Sequence, residues 1–108
     1  MSVKLLVIYP RPTDVETFEK TYTEDHLPMA ARKIPGKTKF LTTRVIGTPS
    51  GETAPYYRIA ELHFPSMEAL QTAAASQGAQ EAIAHALAIS TGGSPLFLVA
   101  EEEKPVPF

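Results

Sequence analysis

From Val15 to Met29 the chain reads V-E-T-F-E-K-T-Y-T-E-D-H-L-P-M. A helix turns about 100° per residue, which gathers Val15, Phe18, Tyr22, His26 and Met29 into an arc of roughly 80°. Glu16, Glu19, Lys20 and Glu24 fall on the other side, a solvated face. A helix with this stripe needs an apolar surface to press against. The stripe also carries a tyrosine and a histidine one turn apart, with Pro28 two residues further on. Proline has no amide hydrogen and clashes with the carbonyl four residues before it, but is tolerated in a first helical turn. The spacing therefore predicts either a kink at Pro28 or a break with a restart over H-L-P-M-A-A-R-K, ended by Ile34-Pro35-Gly36. His26 then lies beside carbonyls that have no helical partner. Thr13 and Glu16 have capping-box spacing, and Asp14 adds negative charge to the first turn.

Short apolar and β-branched runs supply the surface. Residues 3–9, V-K-L-L-V-I-Y, read as a mostly buried strand stopped by Pro10 and Pro12. Residues 37–47 read as a second strand, and T-P-S-G-E-T-A-P as a loop. In 56–64 the alternation puts Tyr57, Ile59, Glu61 and His63 on one face and Tyr56, Arg58, Ala60, Leu62 and Phe64 on the other. Pro65 ends this strand and Ser66 is placed to cap the next helix. Residues 67–90 are alanine-rich and helical, with a break expected at Gly78. Residues 95–101 form a fourth strand, and 101–108 an extended C-terminal tail.

The order β-α-β-β-α-β is the split βαβ arrangement: an α+β, ferredoxin-like protomer with a four-stranded antiparallel sheet and both helices on one face. The uncovered sheet face exposes more apolar surface than a monomer usually shows. Packing two such faces together in a C2 homodimer is the simplest remedy, with the tail ending in Phe108 as a candidate clasp.

The 108 residues fit one domain, 1–108. A net charge of -2 gives no reason to expect nucleic-acid or anionic-membrane partners. No apolar run approaches the ~20 residues that span a bilayer, and the N-terminal run lacks a signal peptide's basic region. There is no cysteine, hence no disulfide framework or thiolate chemistry. A cytoplasmic location is expected. Neither G-x-G-x-x-G nor a P-loop occurs, so no dinucleotide cofactor is expected, and no G-x-S-x-G elbow marks a serine hydrolase.

The pattern Phe18-x3-Tyr22-x3-His26-x-Pro28, followed by Ile34-Pro35-Gly36, resembles the EthD family of the dimeric α+β barrel superfamily. The similarity runs from Leu5 to about Val99. It implies two ferredoxin-like protomers whose sheets join in an eight-stranded barrel. The family is named for a component of an ether-degradation gene cluster. Its superfamily includes cofactor-free monooxygenases, lactone isomerases, polyketide cyclases or dehydratases, and haem-degrading enzymes. The resemblance implies a small, largely apolar ligand held between helices and sheet, while leaving the reaction open.

His26 is the first candidate for catalysis, as a general acid or base, with Tyr22 donating a hydrogen bond to a substrate oxygen. In the bland alternative a carbonyl satisfies a buried histidine and the tyrosine fills space. Phe18, Met29 and Tyr9 are the candidate ligand-binding residues, Tyr9 being equally readable as core. Glu61 and His63 share a strand face with spacing that suits an acid-base pair or two metal ligands, but read first as a rim pair. With so few candidate ligands and no cysteine, no metal site is expected. Arg44 and Arg58 could anchor an anionic substrate but are read first as pairing with Glu61, and His85, away from Ile83 and Leu87, is expected in solvent. The reading that results is a cofactor-independent enzyme of the oxygenase, isomerase or dehydratase kind. The alternatives are a non-catalytic binding or accessory protein, or a haem protein with His26 as axial ligand.

Overall fold

The computed structural model describes residues 2–108. Strand β1 (Val3–Pro10) leads into helix α1 (Val15–Thr21), a π-helical turn (Tyr22–His26) and helix α2 (Leu27–Lys33). Strands β2 (Lys39–Arg44) and β3 (Tyr56–Phe64) follow, then helices α3 (Met67–Ala74) and α4 (Gln77–Ile89), and strand β4 (Leu96–Glu101). The sheet order is β2-β3-β1-β4 with every neighbour antiparallel. This is the ferredoxin-like α+β fold.

Register explains which residues meet the helices. Val3, Leu5 and Val7 stand opposite Phe64, Leu62 and Ala60. These residues pack with Phe18, Tyr22, Ala30 and Ile34 on one side, and with Leu70, Ala73, Ala79, Ala82 and Ala86 on the other. The opposite sheet face carries Leu6, Ile8, Leu41, Ile59, Leu96 and Leu98, register partners that no helix covers. On it Leu41, Leu96 and Leu98 are more than two-fifths exposed. Lys4 crosses this face to the Glu61 carboxylate at 3.0 Å, and His63 Nε2 lies 3.5 Å from the same oxygen.

Four details depart from the sequence reading. Asp14, and not Thr13, caps α1: its side chain accepts from the Thr17 amide at 3.1 Å. The register of β1 and β3 shifts between Tyr9 and Pro10, which pair with Arg58 and Tyr56 and leave Tyr57 extra. At such a bulge two consecutive side chains take similar directions. Tyr57 accordingly meets Phe18, with ring centroids 6.0 Å apart, and does not share the face of Ile59. Arg58 pairs with Glu19, not with Glu61, so Glu19 is not part of a freely solvated face. Finally, the chain is interrupted before Gly78: Ser76 caps α4, accepting from the Ala79 amide at 3.1 Å.

Residues 102–108 extend from the sheet with their side chains exposed, Val106 and Phe108 among them. No helix is long and apolar enough to cross a membrane among the described residues.

Candidate active site

Pro28 does not break the helix; it widens it. The Leu27 amide bonds the Tyr22 carbonyl five residues back, so the chain passes Pro28 through a π turn and continues into α2. In a regular α-helix residue 28 would supply an amide to the Glu24 carbonyl, which proline cannot do. Such turns are frequent at functional sites.

The π turn aligns a column of rings. Phe18 stacks on Tyr22 at 5.4 Å and Tyr22 on His26 at 5.9 Å, and the His85 ring of α4 lies nearly coplanar with His26, centroids 5.1 Å apart. All three interplanar angles are at most 21°. Tyr9 meets Phe18 and Tyr22 edge-on. The Arg58 guanidinium, held by Glu19, lies 5.0 Å from the Tyr22 ring centre. His26 therefore has the Tyr22 ring on one face and the His85 ring, nearly coplanar, at its Nδ1 edge.

Both of its ring nitrogens are engaged by side chains. The Tyr9 hydroxyl lies 3.2 Å from Nε2, and His85 Nδ1 lies 2.9 Å from Nδ1. The backbone carbonyl expected as a partner is replaced by a second histidine. His85 is half-buried, not solvated. The face of α4 that meets the core is marked by the alanines Ala79, Ala82 and Ala86, while the large Leu87 is 49% exposed. Placing His85 relative to Ile83 and Leu87 thus misjudged the buried direction of the helix by roughly 90°. The alanine stripe was the signal that could have found it.

Burial, with a smaller contribution from His85, lowers the His26 pKa to about 4. Burial also raises the ionisation of Tyr9 well above the ordinary phenol value of 10.0 and pushes Tyr22 up to about 12. Near neutral pH Tyr9 is a phenol and His26 a neutral imidazole. Among the described residues the buried Tyr9 hydroxyl has no other hydrogen-bond partner, which favours the tautomer with Tyr9 O–H donating to Nε2 and His26 Nδ1–H donating to His85 Nδ1; the reverse tautomers satisfy the same two contacts.

Tyr9 and His26 form the polar part of an otherwise apolar cavity of about 30 Å³ between sheet and helices. Leu5, Val7, Ala30 and Ala86 contribute to its wall, with the half-buried Phe40 and Phe97. A water needs about 10–15 Å³ of such space, so the cavity is on the scale of a few waters and an organic ligand enters as side chains move. Tyr22, Phe18 and Met29 are not among its lining residues. Tyr22 is fully buried, its hydroxyl has no hydrogen-bond partner, and its visible contact with the site is through its ring. Phe18 is core, and Met29 is half-buried beside it. Axial ligation of a haem by His26 would displace Tyr9 or His85, since each ring nitrogen is engaged by one of them.

A ferredoxin-like α+β domain with a histidine-tyrosine pair on an apolar cavity defines the class. The EthD domain matches residues 10–86, and the chain belongs to the EthD family. An ethyl tert-butyl ether D (EthD) family protein from Bacillus halodurans is 31% identical. That match covers 95% of this chain and all of the other, with a TM-score of 0.88. An uncharacterised 11.0 kDa protein of the thcB-thcC intergenic region of Rhodococcus erythropolis is 26% identical, over 92% of this chain and 94% of its own. The fold also carries a hydroxynitrile lyase from Passiflora edulis, 13% identical, at a TM-score of 0.74 and 98% and 97% coverage. At that identity the likeness concerns the fold alone.

Proposed function

We propose that this protein is a cofactor-independent enzyme that moves a proton to or from a small apolar carbonyl or phenolic compound. His26 is the acid-base group. Tyr9 takes the substrate-facing role that Tyr22 was expected to fill, while Tyr22 holds the His26 plane. The observation that carries this reading is the contact of the Tyr9 hydroxyl with His26 Nε2 at the wall of the apolar cavity. A neutral imidazole hydrogen-bonded to a neutral phenol avoids a lasting buried charge when the pair takes up one proton as it releases another. Removing a proton beside a carbonyl opens isomerisation, dehydration and oxygen chemistry alike. EthD membership is consistent with all of these and selects none.

The test uses acetophenone in D2O, with deuterium entry at the methyl group followed by proton NMR. Wild-type protein is expected to exceed the buffer rate, and His26→Gln to lose roughly 100-fold of the excess. Equal rates for protein and buffer, across this and other small ketones that bind, would sink the enzymatic assignment. The satisfied state of both His26 nitrogens favours one other reading, a binding module without chemistry. Its signature is ligand affinity retained in His26→Gln with no exchange in either protein.

The reading includes a homodimer joined through the open sheet faces. The row of Leu41, Leu96 and Leu98 with the neighbouring Leu6, Ile8 and Ile59 supports it. Native mass spectrometry is expected to give twice the protomer mass, and Leu98→Glu to give a folded monomer. A wild-type monomer at micromolar concentration would remove the dimer.

A further inference from the structure

The catalytic reading above leaves His85 without a part, although it makes the shortest contact to His26. His85 sits on α4, half-buried, with Nδ1 2.9 Å from His26 Nδ1 and its ring parallel to within 21°. Tyr9 at the other end is 1% exposed and borders the cavity. The three side chains come from β1, the π turn and α4, and they span from a partly solvated helix face to the cavity wall.

We infer that His85, His26 and Tyr9 form a proton relay, in which His85 is the port that exchanges protons between solvent and the buried site. The inference rests on the reading of His26 as the proton-transfer group. In the resting arrangement the bonds point outward: Tyr9 O–H donates to His26 Nε2, and His26 Nδ1–H donates to His85 Nδ1. Proton delivery starts from the reversed arrangement, reached from the resting one when both imidazoles change tautomer and the Tyr9 hydroxyl turns to the ligand; His85 then takes a solvent proton on Nε2. His85 protonated on both nitrogens passes its Nδ1 proton to His26 Nδ1. His26 passes its Nε2 proton to the Tyr9 oxygen, and Tyr9 passes its hydroxyl proton to the ligand. One proton has entered from solvent and one has reached the ligand. His85 is left neutral with Nε2–H, His26 neutral with Nδ1–H, and Tyr9 a phenol, which restores the resting arrangement. Removal of a proton from the ligand runs the same steps backwards. No charge is left on His26 or Tyr9 at either end of the cycle.

Other charges do not interrupt the path. The groups facing the two imidazoles are Tyr9 from β1, Tyr22 from the π turn, and each other. Glu81, one turn before His85 on α4, is engaged by Lys33 of α2. Among the described residues neither imidazole is hydrogen-bonded to a carboxylate or an ammonium group. His85 acts through His26 and does not touch the cavity, so it is a positioning and relay residue.

The experiment is done on ligand-free protein labelled with 15N-histidine, so a failure of the acetophenone assay does not affect it. Exchange of the His26 side-chain proton with water is read by saturation transfer at neutral pH. His85→Leu, which closes the port, is expected to slow that exchange at least tenfold, as is His85→Gln, which keeps a polar group but cannot titrate. In His85→Ala, added imidazole is expected to restore exchange in proportion to its concentration. Equal exchange in wild type and in whichever of the Leu and Gln variants folds would overturn the relay. So would an absence of imidazole rescue alongside a folded His85→Ala.

Discussion

Gly78→Ala is expected to destabilise the protein by about 3 kcal/mol, although alanine is the better helix former by about 1 kcal/mol. Gly78 is the second residue of α4, directly after the N-terminal residue Gln77. A Cβ built there would overlap the Lys33 carbonyl oxygen at the end of α2, with the carbonyl carbon at 2.9 Å and Lys33 Cβ at 3.1 Å. The colliding atoms belong to backbone, so no rotamer change relieves them. Either α4 moves outward or the end of α2 does. Both movements open the space behind Ala79, Ala82 and Ala86, which pack against the core at this crossing. They also carry His85 away from His26. Urea titration of Gly78→Ala should therefore show a lower midpoint, and the NMR signature of the His26–His85 bond should change with it. A variant as stable as wild type would mean that the close approach of α2 and α4 is not maintained in solution.

Acid is expected to remove on the order of 3 kcal/mol of stability between pH 6.5 and 4 through His26 alone. Its ordinary value is 6.5 and its folded value is about 4, lowered first by burial. In this window the unfolded chain takes up a proton at His26 that the folded chain does not. Stability therefore rises with pH across the window and falls as pH drops through it. Below about pH 4 both states are protonated and this contribution levels off. The carboxylates act lower down. Arg58 holds Glu19, and Lys4 holds Glu61, below the ordinary 4.5, so their stabilisation is present above that value and fades beneath it. Denaturant midpoints collected from pH 7 to pH 4 test the window. His26→Gln should flatten the slope there and leave the steeper loss at lower pH. A wild-type midpoint independent of pH down to 4.5 would show that His26 is not buried in its neutral form.

Strand and helix order were legible because the relevant forces are local. Proline stops at Pro10 and Pro65, the 3.6-residue stripe from Val15 to Met29, and alternation in 56–64 each act within a few residues. These features carried the ferredoxin-like arrangement and the place of His26 on the inward side of its helix. The motif around Tyr22, His26 and Pro28 carried the family. Less local choices were misjudged. Pro28 permits either a break or a widened turn, and the choice depends on whether Leu27 and Ala30 can still pack. The wider turn keeps both against the sheet. At Tyr57 strict alternation failed because a bulge is decided by the partner strand, which has no counterpart for that residue.

The composition of the site divides along the same line. His26 and its aromatic neighbours Phe18 and Tyr22 lie within two helical turns, so their shared face could be read from spacing alone. Tyr9 and His85 are separated from His26 by 17 and 59 positions. No periodicity reaches across such distances. They meet because β1 lies beneath the π turn and because a stripe of alanines, with Gly78 at its start, lets α4 come close enough for two imidazoles to share a proton. The amino-acid order was sufficient to nominate a histidine, whereas the packing of three separate elements chose its partners and lowered its pKa.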